Sequence, residues 1–294
     1  MVESKRPVDV FVDVLIHVVI VIACFLCLIP LLNTLALSFS SSVMASSGTV
    51  SFWPKQFTLA AYEAIVGEKQ FFGAFWISIK RVVLGGAINF LMMVLCAFPL
   101  AHSEKAFRGR NVYMYFLIFT MLFSGGLVPT YIIVGKMGLM NTLWALILPG
   151  AISTYNMLIM RSAIGALPDA LMEAAKLDGA SHFQRILNVV VPLTGATSAV
   201  LMLYYAVGHW NAWFNASLYI QSPSRFPLQL VLRQVLILGE DSEIASGMDA
   251  GSEIAAATVI KYALIVISTV PIMLLYPFLQ RFFVKGVMIG SVKG

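Results

Sequence analysis

Residues Glu173 to Pro192, EAAKLDGASHFQRILNVVVP, form a polar, small-residue-rich stretch held between two long apolar runs. Pro168 and Asp169, just before it, suit a helix start, and the ALMEAAKL that follows is a good helix former. Gly179 tolerates positive φ, which predicts a bend. Phe183, Ile186 and Leu187 recur at helical spacing, so a second helix leads towards Pro192 and the next apolar run. Such a helix–bend–helix has two readings. One is an ordinary amphipathic helix at the membrane surface. The other is a docking surface: the small pair Ala174 and Ala175 lets a partner's groove come close, and Glu173 and Asp178 offer carboxylates to its basic groups.

The flanking runs set the fold class. Of 294 residues, 60% are hydrophobic and only 11% charged, with a mean hydropathy of +0.88. A soluble domain carries roughly a quarter charged residues. In a bilayer the backbone must satisfy itself, as helices or as a closed barrel. Barrel strands alternate over ~10 residues, whereas the apolar runs here are continuous and longer, so the chain reads as an all-α membrane protein. A span needs about 20 apolar residues. Six runs qualify, at roughly 13–37, 74–101, 112–134, 141–161, 193–216 and 255–280. The first is too long for a signal peptide and lacks a small-residue cleavage site, so it reads as a retained span. Pro30, Pro99, Pro129, Pro149 and Pro271 fall in or near these runs as tolerated kinks.

Six spans put both termini on one side. Placing them in the cytoplasm leaves Lys5, Arg6, Lys105, Arg108, Arg110, Arg161, Lys176, Arg185, Arg281, Lys285 and Lys293 inside, 11 of the 19 Lys and Arg residues. The long outer segments are then 38–72, polar and punctuated by Pro54 and Gly67, and 217–254, which ends in an acidic, Gly-rich stretch. No internal repeat is visible, and six helices are few for a complete transport pathway, so a partner chain is expected.

Several chemistries are excluded. The net charge of +5 is accounted for by topology, and nothing resembles a nucleic-acid-binding signature. No phosphate-binding loop of the G-x-x-x-x-G-K-[ST] type is present, so ATP is not bound by that route. His17, His102, His182 and His209 show no metal-ligand spacing, and Cys24 and Cys27 sit as small hydrophobes within an apolar run. Beyond Asp13 at the edge of the first, the spans hold no Asp or Glu, against an intramembrane protease or proton pump. The fifth run ends in HWNAWFNASLY, where Trp210, Asn211, Trp213, Asn215 and Tyr219 read either as sugar-holding faces and amides or as an interfacial aromatic belt. Lys80 and Arg81 near the start of the second run read either as snorkelling cations or as cavity-facing ones. With Arg225, Arg233 and Lys261 they would favour an anionic sugar.

The opening stretch also resembles the signature of ABC-importer permeases: Glu-Ala-Ala, three residues, Gly, nine residues, then Ile-x-Leu-Pro. Here Glu173-Ala174-Ala175, Gly179 and Val189-Val190-Val191-Pro192 meet that spacing, with Val in place of Ile and Leu. GGLVPTYIIVGKMGLMNTLWALILPGA and the ending FFVKGVMIGSVKG look like the maltose-type, MetI-like sugar permeases, most of all the branch handling oligo- and polysaccharides, alginate-type importers included. The resemblance implies a type I importer permease: an N-terminal helix with its outer loop (1–72), a core (73–283) carrying a coupling loop at 162–192, and a cytoplasmic tail (284–294). It implies a second homologous permease, two ATPase subunits that bind ATP and Mg, and an extracytoplasmic solute-binding protein, all in the cell's inner membrane. It further implies that Glu173, Ala174, Ala175, Asp178, Gly179 and Pro192 face the ATPase, and that Lys285, Gly286, Gly290 and Gly294 of the tail reach it too. A non-sugar solute on the same fold is the alternative.

Overall fold

A computed structural model describes residues 7–238 and 258–275. The tail residues Lys285, Gly286, Gly290 and Gly294 and the acidic stretch after Leu238 lie outside the described residues. Among those described, the chain is helical with no strand. Three helices are long and apolar enough to cross a membrane: α1 (Pro7–Ser38), α2 (Lys69–Ala101) and, further on, the helix Thr258–Leu275. Three more runs are helix pairs bent by over 40°. They are α3 (Arg110–Leu122) with α4 (Leu127–Lys136), at 113°; α5 (Leu143–Ile147), prolonged to Gly150, with α6 (Thr154–Gly165), at 53°; and the stretch His182–Leu193 with α9 (Gly195–Asn211), at 89°. Between α6 and α9 lie α7 (Asp169–Leu177) and α8 (His182–Arg185). After α9 come the short α10 (Phe214–Tyr219) and α11 (Leu228–Arg233).

The third, fourth and fifth runs, read as spans with tolerated kinks, are bent much further than a kink, and each bend has a local cause. Phe123 to Gly126 separates α3 from α4, with Gly126 at φ +90°. Pro149 sits in the tight turn that ends α5. Pro192 has no N–H for the carbonyl four residues back and its ring crowds it, and the preceding Ile186–Val190 widens into a π-helical turn. Helix α2 also begins at Lys69, inside the segment read as an outer loop, because its first polar turn falls below any hydropathy threshold while remaining a good helix.

The chain divides into two compact units. One holds residues up to Glu68 together with 234–270, the other Lys69–Arg233 and the residues from Pro271. In the first unit, none of the most apolar window of α1 is buried, as suits a helix facing lipid. The chain after α1 folds back on it: Asn33 Nδ2 donates to the carbonyls of Ser51 (2.7 Å) and Val50 (3.3 Å). The Ser38 and Tyr62 hydroxyls meet at 2.8 Å, and the Phe39 ring stacks on Phe57 and Tyr62. Burial pushes the Tyr62 phenol up, and the Ser38 hydroxyl offsets part of that rise.

The second unit is organised on α2. Its buried residues Phe71, Ala74, Ser78, Arg81, Gly85, Asn89, Met93, Ala97 and Leu100 recur every three or four positions, forming one face of the helix. The lower part of that face is apolar and joins Met114, Met157, Met160, Ile164, Ile186, Val190, Leu201 and Tyr205 in a single core. The middle part is polar and holds other segments by their broken backbone. Asn89, 1% exposed, donates from Nδ2 to the carbonyls of Gly150 (2.7 Å) and Ala151 (2.9 Å), where the helix between α5 and α6 is interrupted. With that amide nitrogen committed, Asn89 Oδ1 accepts from His209 Nε2 of α9 at 2.6 Å. Arg81, also 1% exposed, donates to the Ala212 carbonyl at the end of α9 and to the Leu146 carbonyl at 3.4 Å. Ser78 Oγ accepts the Leu228 N–H at 2.8 Å, tying in the start of α11.

Gly85 makes room for this network: a Cβ there would stand 2.5 Å from His209 Nε2. Gly85→Ala is therefore expected to lower stability by about 1–3 kcal/mol, the usual cost of overpacking. Thermal unfolding of the purified protein measures it, and the loss should shrink in a His209→Ala background. An equal loss in both backgrounds would contradict the contact.

Candidate functional site

The helix–bend–helix segment begins where Pro168, at ψ 129°, turns the chain into α7. Asp169 in its first turn and Lys176 in its last complement the helix dipole. Asp178, Gly179 and Ala180 end α7 in a Schellman motif. Gly179 N–H donates to the Lys176 carbonyl (3.1 Å), Ala180 N–H reaches the Ala175 carbonyl (3.0 Å), and Gly179 adopts φ +77°. That left-handed residue is the bend expected from the sequence. Nothing lies within 4 Å of a Cβ built on Gly179, so the backbone angle, not space, calls for glycine. Ser181 then opens α8 with a capping box: its hydroxyl accepts the Gln184 N–H at 3.3 Å, and Gln184 Oε1 accepts the Ser181 N–H at 2.8 Å.

The two faces of this segment differ. Glu173, Ala174, Asp178, Gly179 and Pro192 are exposed and Ala175 is half-buried. The opposite face is seated on the α2 unit. Ile186 and Val190 are part of the core, with Met172 of α7 packed against its edge. Arg185 is buried and donates to His182 Nδ1 at 2.7 Å, and the His182 ring meets Phe98 of α2 edge-on, with centroids 6.3 Å apart. Nearby, the Leu100 carbonyl at the end of α2 accepts from both Arg161 Nε (2.9 Å) and Arg110 Nε (3.1 Å), two cations at the negative end of a helix. The segment is thus an exposed small-residue and acidic face backed by the packing of α2, α6 and α9.

The residues read as pathway candidates scatter. Trp210 is buried, edge-on to Phe75 of α2 at 5.9 Å. Tyr219 is buried and stacked on Tyr131 at 6.1 Å. Asn211 and Asn215 are exposed on either side of Trp213, whose ring carries the Arg233 guanidinium 4.0 Å above its centroid. Lys80 is exposed while its neighbour Arg81 is buried on backbone carbonyls. Arg225 donates to the Asn141 carbonyl. Asn141, at φ +57°, binds Tyr219, Gln221 and Ser222, gathering the loop after α10. Among the described residues no group of His, Cys, Asp and Glu is placed to hold a metal ion. Sequence reading missed Gly85, Asn89, His209, Asn141 and the Ser181–Gln184 box. Ser78, Arg81, Gly85 and Asn89 on one helical face, and the S-x-x-Q spacing, were the available signals.

This arrangement, a multi-pass helical core with an amphipathic helix pair inserted between two of its apolar runs, agrees with what comparison finds. The chain belongs to the family of binding-protein-dependent transport system inner membrane components, whose profile matches residues 2–289. It is 41% identical to Protein LplC of Bacillus subtilis (strain 168) over 267 residues, 91% of this chain and 90% of that one. It is 35% identical to the polygalacturonan/rhamnogalacturonan transport system permease protein YtcP of the same organism, over 96% of this chain and 98% of that one. Its fold matches a chain of a bacterial ABC transporter involved in the import of the acidic polysaccharide alginate, with TM-score 0.88 and 25% identity over 95% of this chain and 99% of that one.

At φ +77°, position 179 ranks its substituents by backbone preference. Asparagine visits the left-handed region most easily, alanine less so, and a β-branched residue least, at a cost of about 1–2 kcal/mol or more. Exchange of the Ala180 amide, bonded at 3.0 Å in the parent, should quicken in the order Gly179→Asn, Gly179→Ala, Gly179→Val. Equal protection in all three would contradict the motif.

Proposed function

We propose that this chain is one of two homologous pore-forming permeases in an ATP-driven importer of oligosaccharides, acidic ones in particular. In this reading it crosses the inner membrane six times, each bent pair counting as one span, with both termini in the cytoplasm. It performs no catalysis. ATP and Mg are bound by two separate ATPase subunits, and an extracytoplasmic binding protein delivers the sugar. Residues 162–192 are the coupling loop and 284–294 the tail directed at the ATPase.

The observation that carries the reading is the two-faced docking segment. Glu173, Ala174 and Asp178 stand exposed while Met172, Ile186 and Val190, on the same short stretch, are packed with α2, α6 and α9. A push on the exposed face is thereby delivered to three membrane helices, as a coupling lever requires. Support for the substrate class comes from the relatives, named for polygalacturonan/rhamnogalacturonan transport and for alginate import. A non-sugar solute on the same fold is the alternative, and those names weigh against it.

Two experiments test the reading. Glu173→Lys should abolish ATPase docking or leave hydrolysis running without uptake, scored by co-purification and by sugar uptake in proteoliposomes. Normal uptake would refute the docking role. Separately, ATPase stimulation by the sugar-loaded binding protein should be stronger with uronic-acid oligosaccharides than with neutral ones. Equal stimulation would remove the acidic preference.

A further inference from the structure

The arginines and asparagines of the α2 unit fall into two sets. Arg81 and Arg225 donate to backbone carbonyls, as does the Asn89 amide, while Asn141 donates to the Ser222 hydroxyl and accepts the Gln221 and Ser222 N–H groups. Arg233 makes no such bond among the described residues. It closes α11 and lies over the Trp213 ring, and its guanidinium has no hydrogen-bond acceptor among the described residues. The side-chain amides of Asn211 and Asn215, two residues to either side of Trp213, are exposed and also without partners among the described residues. Arg233 meets Trp213, and Asn211 and Asn215 flank Trp213 in the chain where α9 ends and α10 begins.

Stacking on an indole holds a guanidinium by its face and leaves the N–H fork in its plane directed outward. That fork matches a carboxylate, through paired charge-assisted hydrogen bonds. The exposed amides two residues to either side of Trp213 offer donors and acceptors for hydroxyl groups. A carboxylate and vicinal hydroxyls on one small ring describe a uronic acid residue. An aromatic belt would instead show its ring faces to lipid, and one face of Trp213 is taken by Arg233.

We propose that Arg233, held over Trp213, which Asn211 and Asn215 flank in the chain, is a selectivity site that takes the carboxylate of a uronic acid residue as an acidic oligosaccharide enters the permease. This rests on the oligosaccharide reading above and goes beyond it by assigning the recognition of charge to this chain. Arg233 selects and positions substrate, while Trp213 orients Arg233.

The test uses the full transporter in proteoliposomes with its binding protein and oligogalacturonate. Arg233→Gln should lower uptake at saturating binding protein about tenfold, the scale of one lost charge-assisted hydrogen bond. Arg233→Lys should keep uptake within about threefold of the parent, because it retains the charge. The binding-protein concentration giving half-maximal uptake should stay unchanged in both. Undiminished uptake by Arg233→Gln would overturn the proposal. So would a loss that excess binding protein restores, which would assign Arg233 to docking that protein instead. A parent transporter that imports neutral oligosaccharides but no oligogalacturonate would refute the acidic preference on which the proposal rests, and one that imports neither would refute the oligosaccharide reading itself; both outcomes appear before any substitution.

Discussion

A helix broken inside a membrane frees carbonyl groups that no water can reach, and each unsatisfied group costs several kcal/mol. That constraint governs the α2 unit. Three of its apolar runs are interrupted, by 53° to 113°. The polar middle of α2 answers one of these interruptions and one helix end: Asn89 binds the carbonyls of Gly150 and Ala151, and Arg81 binds those of Leu146 and of Ala212, at the end of α9. A buried arginine with no carboxylate beside it among the described residues would ordinarily be costly. Here the last carbonyls of α9, at the negative end of that helix, supply part of the compensation. The unbroken helix is thus the fixed part, and the broken ones are arranged around it.

The same helix links that polar middle to the helix–bend–helix segment of α7 and α8. Four to eleven residues beyond Asn89, its buried face turns apolar and meets Ile186 and Val190. The π-helical turn before Pro192 separates this packed portion from α9 by an 89° bend. Force applied at α7 therefore meets a packed core before it meets the bend. A helix pair seated on a helix that also holds the break at Gly150 and the end of α9 at Ala212 is the arrangement that the proposed coupling role requires.

Much of this was legible in the sequence. Composition and run length placed the chain in a membrane as helices, and the docking segment could be read nearly in full, since its bend depends on one local residue, Gly179. The family signature added what physics alone left open. The breaks were not legible, because a proline or glycine in a membrane run is compatible with a mild kink as well as a 113° turn. What decides between them is a distant partner for the freed carbonyls, and Asn89 lies 61 residues from Gly150. Arg81 illustrates the limit: charge alone suggested snorkelling or a cavity, while its place beside Ser78 and Gly85 on one helical face was the better guide. Lys80, its neighbour in sequence, is exposed, because adjacent helical positions point about 100° apart.

The central claim is that the exposed face of α7 meets an ATPase. Its most direct test is to place a cysteine at the exposed Ala174 in the assembled importer and add a short bifunctional maleimide. The account predicts a covalent adduct with an ATPase subunit that also carries an engineered cysteine in its docking cleft, and no such adduct when the permease cysteine is moved to the exposed Val66, in the other unit. An intact complex giving no adduct through residue 174 would contradict it.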